Sequence, residues 1–251
     1  IEQSIQLTYS QIDGLVVKSI DEKLSEKLLF SELARENIQA RDRASRILAA
    51  VSSAFGGVFT CNANKSEVTV GYSTLYGDLC GYFANIADLW KTEVYELANY
   101  INTNVYTTPP IPAGIFEVTP SAELSASQNV DEKKGDPLIY HYHDKLFAAW
   151  VERWNRVSPE EIIIWYKDGT LEKNIGWNGN INSLFPTAKD FIFDLERWWN
   201  LYHGMAVAKR IQSPPVLAVK KRSFGFDHRE SQMEPCYTQT YQKVKEQLLT
   251  R

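Results

Sequence analysis

Glu36-Asn37-Ile38-Gln39-Ala40-Arg41, Asn62-Ala63-Asn64-Lys65-Ser66-Glu67 and Gly71-Tyr72-Ser73-Thr74-Leu75-Tyr76-Gly77-Asp78 follow one another within the stretch that ends at Lys91. Ala40, Ala44, Ile47, Leu48 and Val51 recur at helical period, and Gly56-Gly57 stops the pattern. Asn37 and Arg41 are four apart along the edge of that stripe, so Arg41 is placed to reach across the packing surface to a neighbouring element. Arg46 falls on the opposite side. Val58-Phe59-Thr60 reads as a short strand, and Cys61 to Glu67 leaves its end, where ligand residues collect in open α/β sheets. A helix cap and a polar loop would account for any one of these residues. The whole run holds more polar chemistry than a connection needs.

A second helix is expected from Lys91 to Ile101, with Val94, Leu97, Ala98 and Ile101 on one face. Lys91 then lies in the first turn, where a cation is poorly matched to the helix dipole, which points to an anion nearby. The plain alternative is an exposed lysine that costs roughly a few tenths of a kcal/mol.

With 251 residues the chain can build one sizeable core. A net charge of -4 gives no broad attraction to nucleic acid or an anionic membrane surface. No apolar run is long enough to span a bilayer and the amino end has no signal-peptide pattern, so a cytoplasmic protein is expected. Cys61, Cys80 and Cys236 are an odd number without metal-ligand spacing, which indicates neither a disulfide framework nor a zinc site. Seven tryptophans and thirteen tyrosines imply much buried aromatic surface, a subunit interface included.

Elsewhere, Ile1 to Ser10 alternates like a strand, and Asp21 to Leu33 reads as a polar helix with a solvated face. Asn102 to Pro120 is a loop, and Ser121 to Asp136 suits either a mobile cover or a plain surface loop. His141 and His143 would point the same way on a strand, but no third ligand stands at useful spacing, so packing or surface histidines are expected. Asp144 to Arg156 reads as an aromatic-rich helix. Ser158-Pro159-Glu160-Glu161 is a capping box that starts a helix ended by Asp168-Gly169. Phe191, Leu195, Trp198, Trp199, Tyr202 and Met205 share a broad helical face, expected as core. Lys220-Lys221-Arg222 reads as a solvated basic run, and the tail from Tyr237 as a polar helix or a frayed end.

Glu36 to Arg41, Asn64-Lys65-Ser66-Glu67 and Gly71 to Asp78, with Lys91-Thr92 and Pro120-Ser121-Ala122-Glu123-Leu124, resemble the NAD synthetase family, and more closely its large glutamine-dependent branch. Ala208-Lys209-Arg210-Ile211-Gln212-Ser213-Pro214-Pro215 and Arg222-Ser223-Phe224-Gly225-Phe226-Asp227 look similar to the family's ending. The resemblance implies an α/β Rossmann-like adenine nucleotide alpha hydrolase fold, with a parallel sheet and an added helical C-terminal part. Residues 1–130 would be the α/β core portion and 131–251 the helical part of one synthetase domain.

It also implies a reaction: ATP adenylates the nicotinate carboxylate of deamido-NAD, and ammonia displaces AMP to give NAD. Carried over by position, Glu67 resembles the family's magnesium carboxylate. Lys91, Ser121 and Asn62 match ATP-binding positions, with Lys91 and Glu67 as the catalytic pair. Asn37, Arg41, Tyr72, Ser73 and Lys209 match positions around deamido-NAD. ATP and Mg2+ are the implied cofactors. The implied partners are a glutaminase domain that supplies ammonia and a second copy of the chain, in a homodimer or higher oligomer, with no nucleic acid and no membrane.

Some residues depart from the family pattern. Its Ser-Gly-Gly-x-Asp-Ser phosphate loop is absent from these 251 residues, so an incomplete amino end and little turnover by the chain alone are expected. Asn62 stands where threonine is usual. Leu75 and Tyr82 replace a lysine and an aspartate of the short ammonia-dependent enzymes, which favours the large branch. Two rival readings stay open: another ATP-dependent amidotransferase, such as a GMP synthetase relative, or a non-catalytic dimerising or dinucleotide-binding fragment.

Overall fold

Strand pairing takes over the amino end of the chain. The computed structural model describes residues 5–10, 14–19, 25–121, 135–225 and 235–250. β1 (Ile5–Ser10), β2 (Gly14–Ser19) and β3 (Ser25–Leu29) form an antiparallel sheet in the order β1-β2-β3. Ile5 lies opposite Ser19 and Gly14 opposite Leu29. The polar helix expected over Asp21 to Leu33 is therefore not formed at Ser25–Leu29. Charge pairs along a short helix are worth only about 0.2–0.5 kcal/mol each, whereas pairing with β2 supplies β3 with backbone partners.

The first helix opens earlier than its apolar stripe suggests. Ser31 caps α1 (Glu32–Asp42), its hydroxyl accepting the Ala34 N–H at 3.2 Å. A π turn over Arg43–Leu48 joins α1 to α2 (Ala49–Ala54), and Phe55 closes it before Gly56, whose φ is +64°. A π turn widens the helical repeat and rotates whatever follows. Ala40 and Ala44 are accordingly buried, while Ile47, Leu48 and Val51 are left 53, 40 and 53% exposed. The single continuous stripe read from the sequence is split at this point.

The expected parallel sheet is not among the described elements. What the structure shows is three extended segments side by side: Cys61 bridges Ala84, and Ala84 bridges Val216, both in the parallel sense. The Tyr82 N–H donates to Phe59 O at 2.8 Å and the Cys61 N–H to Phe83 O at 3.0 Å. Val58-Phe59-Thr60 is thus extended without being a strand. Gly81 is required beside it, because a Cβ there would lie 2.5 Å from Cys61 N.

Two short elements follow, α3 (Lys65–Val70) and α4 (Lys91–Tyr100), the latter continued by a π turn over Ile101–Val105. One turn, α5 (Gly114–Glu117), interrupts the Pro-rich loop. Residues 122–134, including Ala122, Glu123 and Leu124 and most of the expected cover, lie outside the described residues, as do Phe226 and Asp227.

The elements described from Tyr140 onward are helices: α6 (Tyr140–Val151), α7 (Pro159–Lys167), α8 (Leu171–Ile175), α9 (Ile181–Leu184), α10 (Ala188–His203), α11 (Met205–Gln212) and α12 (Gln239–Leu249). His141 and His143 stand on α6 rather than on a strand, so they diverge: His141 is exposed, while His143 is buried with its Nε2 3.0 Å from Asp194 Oδ2. Phe191, Leu195, Trp198, Trp199 and Tyr202 of α10 are buried as expected. Met205 is not; Gly204 ends α10 and starts α11 on a new axis, which leaves Met205 58% exposed. The tail helix α12 buries Tyr241 and Val244.

The Ser158 cap forms as the sequence predicts, with the hydroxyl accepting the Glu161 N–H and Glu161 Oε2 accepting the Ser158 N–H at 2.9 Å. Ser158→Ala should lower unfolding stability by about 1 kcal/mol, read as a lower urea midpoint at unchanged m-value.

Candidate functional site

Asn64 and Glu67 build the site locally. The Asn64 side chain accepts the Glu67 N–H at 3.2 Å, and Glu67 Oε2 accepts the Asn64 N–H at 3.0 Å, a reciprocal cap that starts α3. One carboxylate oxygen of Glu67 is therefore committed, and the other, Oε1, is 3.5 Å from the Tyr140 hydroxyl. Burial pushes the Glu67 carboxyl up to about 7, against the pull of the Lys91 ammonium, with Asp136 adding to the rise.

Asp136 is the centre of a second group. Its Oδ1 accepts from Tyr72 Oη at 3.0 Å and its Oδ2 from Tyr140 Oη at 2.7 Å. Burial and the adjacent carboxylates raise both phenols above their usual range, so both stay protonated as donors. Lys91 opens α4 with its backbone N–H on Ser66 Oγ at 3.0 Å, and its Nζ lies 5.6 Å from the Tyr95 ring centroid and 5.5 Å from that of Tyr140.

Glu67, Asp136, Tyr72 and Lys91 face one cavity of about 320 Å³. Of the nine residues expected from the sequence, Asn62, Glu67, Tyr72, Lys91 and Ser121 line it, together with Asp136, Asp78, Cys80 and Arg43. Asn37, Arg41, Ser73 and Lys209 do not. They gather instead on the 71–78 loop: Thr74 Oγ1 donates to Asn37 Oδ1 at 2.9 Å, and Arg41 Nε to Leu75 O at 3.1 Å. Arg41 thus reaches across to a neighbouring element as its position predicts. Lys209 Nζ donates to the carbonyls of Gly71, at 2.6 Å, and Ser73. Gly71 permits this approach, since its φ is +65° and a Cβ would lie 2.8 Å from Ala206 Cα. Ser73 Oγ is buried with no described partner.

Sequence reasoning missed Asp136 and Tyr140, which lie on the far side of the Pro-rich loop, between the Pro120–Leu124 block and the closing blocks. It also missed Lys65, read only as part of a block although it is wholly buried. Lys220 is not simply solvated, because its Nζ is held by Glu93 at 2.5 Å and Glu152 at 3.1 Å. Arg210 is buried and donates to Thr69 O at 2.6 Å and Tyr202 O at 2.9 Å.

Among the described residues no group of three or more His, Cys, Asp or Glu could hold a metal. Mg2+ asks for less, because it keeps several waters and is commonly bound by one or two carboxylates together with substrate phosphates. Glu67 and Asp136 on one cavity fit that smaller demand. A larger hollow of about 530 Å³ lies among α7, α8, α9 and Leu248, but its carboxylate, Glu172, already accepts the Ile181 N–H. Among the described residues no helix is long and apolar enough to cross a membrane.

Comparison with known proteins gives one consistent result. Residues 1–173 match NAD synthase as a family. The glutamine-dependent NAD(+) synthetase of Aquifex aeolicus is 44% identical over 132 residues, 53% of this chain and 22% of that protein. That of Xylella fastidiosa is 37% identical over 206 residues, 80% of this chain and 32% of that protein. A solved glutamine-dependent NAD(+) synthetase from Cytophaga hutchinsonii superposes with a TM-score of 0.53 at 19% identity, over 85% of this chain and 30% of that one, a likeness of fold. The chain spans about a fifth to a third of the length of these relatives.

Proposed function

We infer that this chain, which belongs to the NAD synthase family, serves the synthetase half of a glutamine-dependent NAD synthetase and gathers ATP and deamido-NAD at the cavity between α1, α3 and α4. The reaction is the amidation of the nicotinate carboxylate: its oxygen attacks the α-phosphorus of ATP, pyrophosphate leaves, and ammonia then displaces AMP. Ammonia comes from glutamine through a glutaminase domain. The observation that carries this reading is the convergence of Asn62, Glu67, Tyr72, Lys91 and Ser121, distant in sequence, on one hollow.

Each residue has a physical task. Lys91 supplies a cation at a helix start, where an ATP phosphate would meet both the ammonium and the helix dipole. Ser121 offers a hydroxyl to the phosphates, and Asn62, exposed beside the Thr60 hydroxyl, offers amide groups to the nucleotide. Glu67, with Asp136, holds Mg2+, which when bound neutralises phosphate charge. Tyr72 closes the hollow by its bond to Asp136. Asn37, Arg41, Ser73 and Lys209 act on deamido-NAD through the 71–78 loop that they hold, and the buried, unpartnered Ser73 hydroxyl is the group there left for a ligand.

Residues 1–130 form the α/β core portion of the domain and 131–251 its helical part. The exposed Ile47, Leu48 and Val51 support a homodimer. Calorimetry tests the substrate class: the chain should bind deamido-NAD and not xanthosine monophosphate. The reverse preference would move the assignment to a GMP synthetase relative.

A further inference from the structure

A lysine with no solvent exposure is costly unless it is paired and hydrogen-bonded. Lys65, the first residue of α3, is 0% exposed and is met three ways. Its Nζ donates to Asp88 Oδ1 at 2.8 Å, to Glu152 Oε1 at 2.9 Å and to the carbonyl of Arg222 at 3.0 Å. Its backbone N–H donates to Leu89 O at 2.8 Å. Asp88 Oδ2 accepts the N–H groups of Val219, at 2.8 Å, and Lys220, at 2.6 Å. Lys220 in turn holds Glu93, whose Oε2 accepts the Trp90 N–H at 2.9 Å just before α4. One buried ammonium thus joins α3, the turn into α4, the end of α6 and the segment after α11.

The next residue extends the clamp. Ser66 Oγ donates to Asp144 Oδ1 at 2.5 Å and accepts the Lys91 N–H at 3.0 Å. Asp144 Oδ2 accepts from both the N–H and the hydroxyl of Thr92, at 2.9 and 2.8 Å. The residue after that is Glu67, which faces the cavity. Three consecutive residues of α3 therefore make two ties to the start of α4 and one wall of the site.

We propose that Lys65, with Ser66 beside it, is a positioning residue: it fixes the first turn of α4 against α3 so that the Lys91 ammonium and the Glu67 carboxylate meet one nucleotide. The proposal rests on the reading that Lys91 meets an ATP phosphate. Lys65 does not line the cavity, so it works through Lys91 and Glu67. A small misplacement of a binding group is enough to lose much of its effect.

A double-mutant cycle tests this, read as the Mg·ATP dissociation constant by calorimetry on the full chain. The paired variant Lys65→Met/Asp88→Asn removes both charges together, and the amide oxygen that replaces the Asp88 carboxylate still accepts the Val219 and Lys220 N–H groups. It should bind Mg·ATP about tenfold more weakly, yet bring no further loss in a Lys91→Ala background. Neutralising a remote, partly exposed pair, Lys245→Met/Glu196→Gln, should leave the affinity unchanged; that pair joins α10 to α12 at 2.5 Å. If the paired variant does not fold, Ser66→Ala enters the same cycle with the same expectation. Unchanged affinity in these variants, or a loss that adds fully to that of Lys91→Ala, overturns the positioning role. A wild-type chain that binds no Mg·ATP overturns the functional reading beneath it.

Discussion

Lys91→Ala is expected to weaken Mg·ATP binding by roughly ten- to a hundredfold while leaving the melting temperature nearly unchanged. A hydrogen bond to a charged group is worth about 1.5–3 kcal/mol, and 1.4 kcal/mol is tenfold in affinity. The backbone N–H that ties Lys91 to Ser66 survives the change, and among the described residues the ammonium makes ring contacts with Tyr95 and Tyr140 rather than an ion pair. Little in the described fold therefore depends on that side chain. The loss should shrink as salt is raised, because the interaction is screened. Calorimetry at two ionic strengths, beside a thermal melt, checks all three statements. A large drop in melting temperature with unaltered affinity would assign Lys91 to structure instead.

Glu67→Gln should raise stability above neutral pH and still abolish the Mg2+ dependence of nucleotide binding. The amide keeps an oxygen for the Asn64 N–H but loses the charge a hard cation requires. The sign of the stability change follows from the raised pKa. Folded Glu67 titrates near 7 against an ordinary value of 4.5, so it favours the folded state fully below about pH 4.5. That contribution fades as pH rises to 7, and above it the buried charge opposes folding by on the order of 3 kcal/mol. At pH 8 without metal, Glu67→Gln should therefore unfold at higher urea than the wild type, and at pH 4 the two should be alike. A buried carboxylate that costs stability as a bare charge trades folding free energy for function. Equal stability at both pH values would show that Glu67 is not buried as a charge.

The parts of this architecture that are legible in sequence are those fixed locally. Ser158, Pro159 and Glu161 define a helix start by their own hydrogen bonds, and it forms as read. Lys91 at a helix start and Arg41 reaching across to Leu75 were also readable, one from apolar period and the other from position on a face. The failures come where distant partners decide. Ser25–Leu29 has the charges of a surface helix, and β2 makes it a strand. The π turn after Asp42 turns Ile47 and Val51 out of line with Ala40 and Ala44, which no apolar count can show. Lys65 and Lys220 look like surface lysines until Asp88, Glu93 and Glu152 are brought to them. In the site, the ordered blocks brought five residues to one cavity, but Asp136 and Tyr140 entered only through the fold.

Crystals of the chain grown with ATP, Mg2+ and deamido-NAD would test the central claim most directly. The account predicts ATP phosphates within hydrogen-bond distance of Lys91 Nζ, a Mg2+ ion on the Glu67 carboxylate, and both nucleotides in the cavity that Tyr72 and Ser121 line. Nucleotide bound elsewhere, with Glu67 and Lys91 untouched, would contradict it.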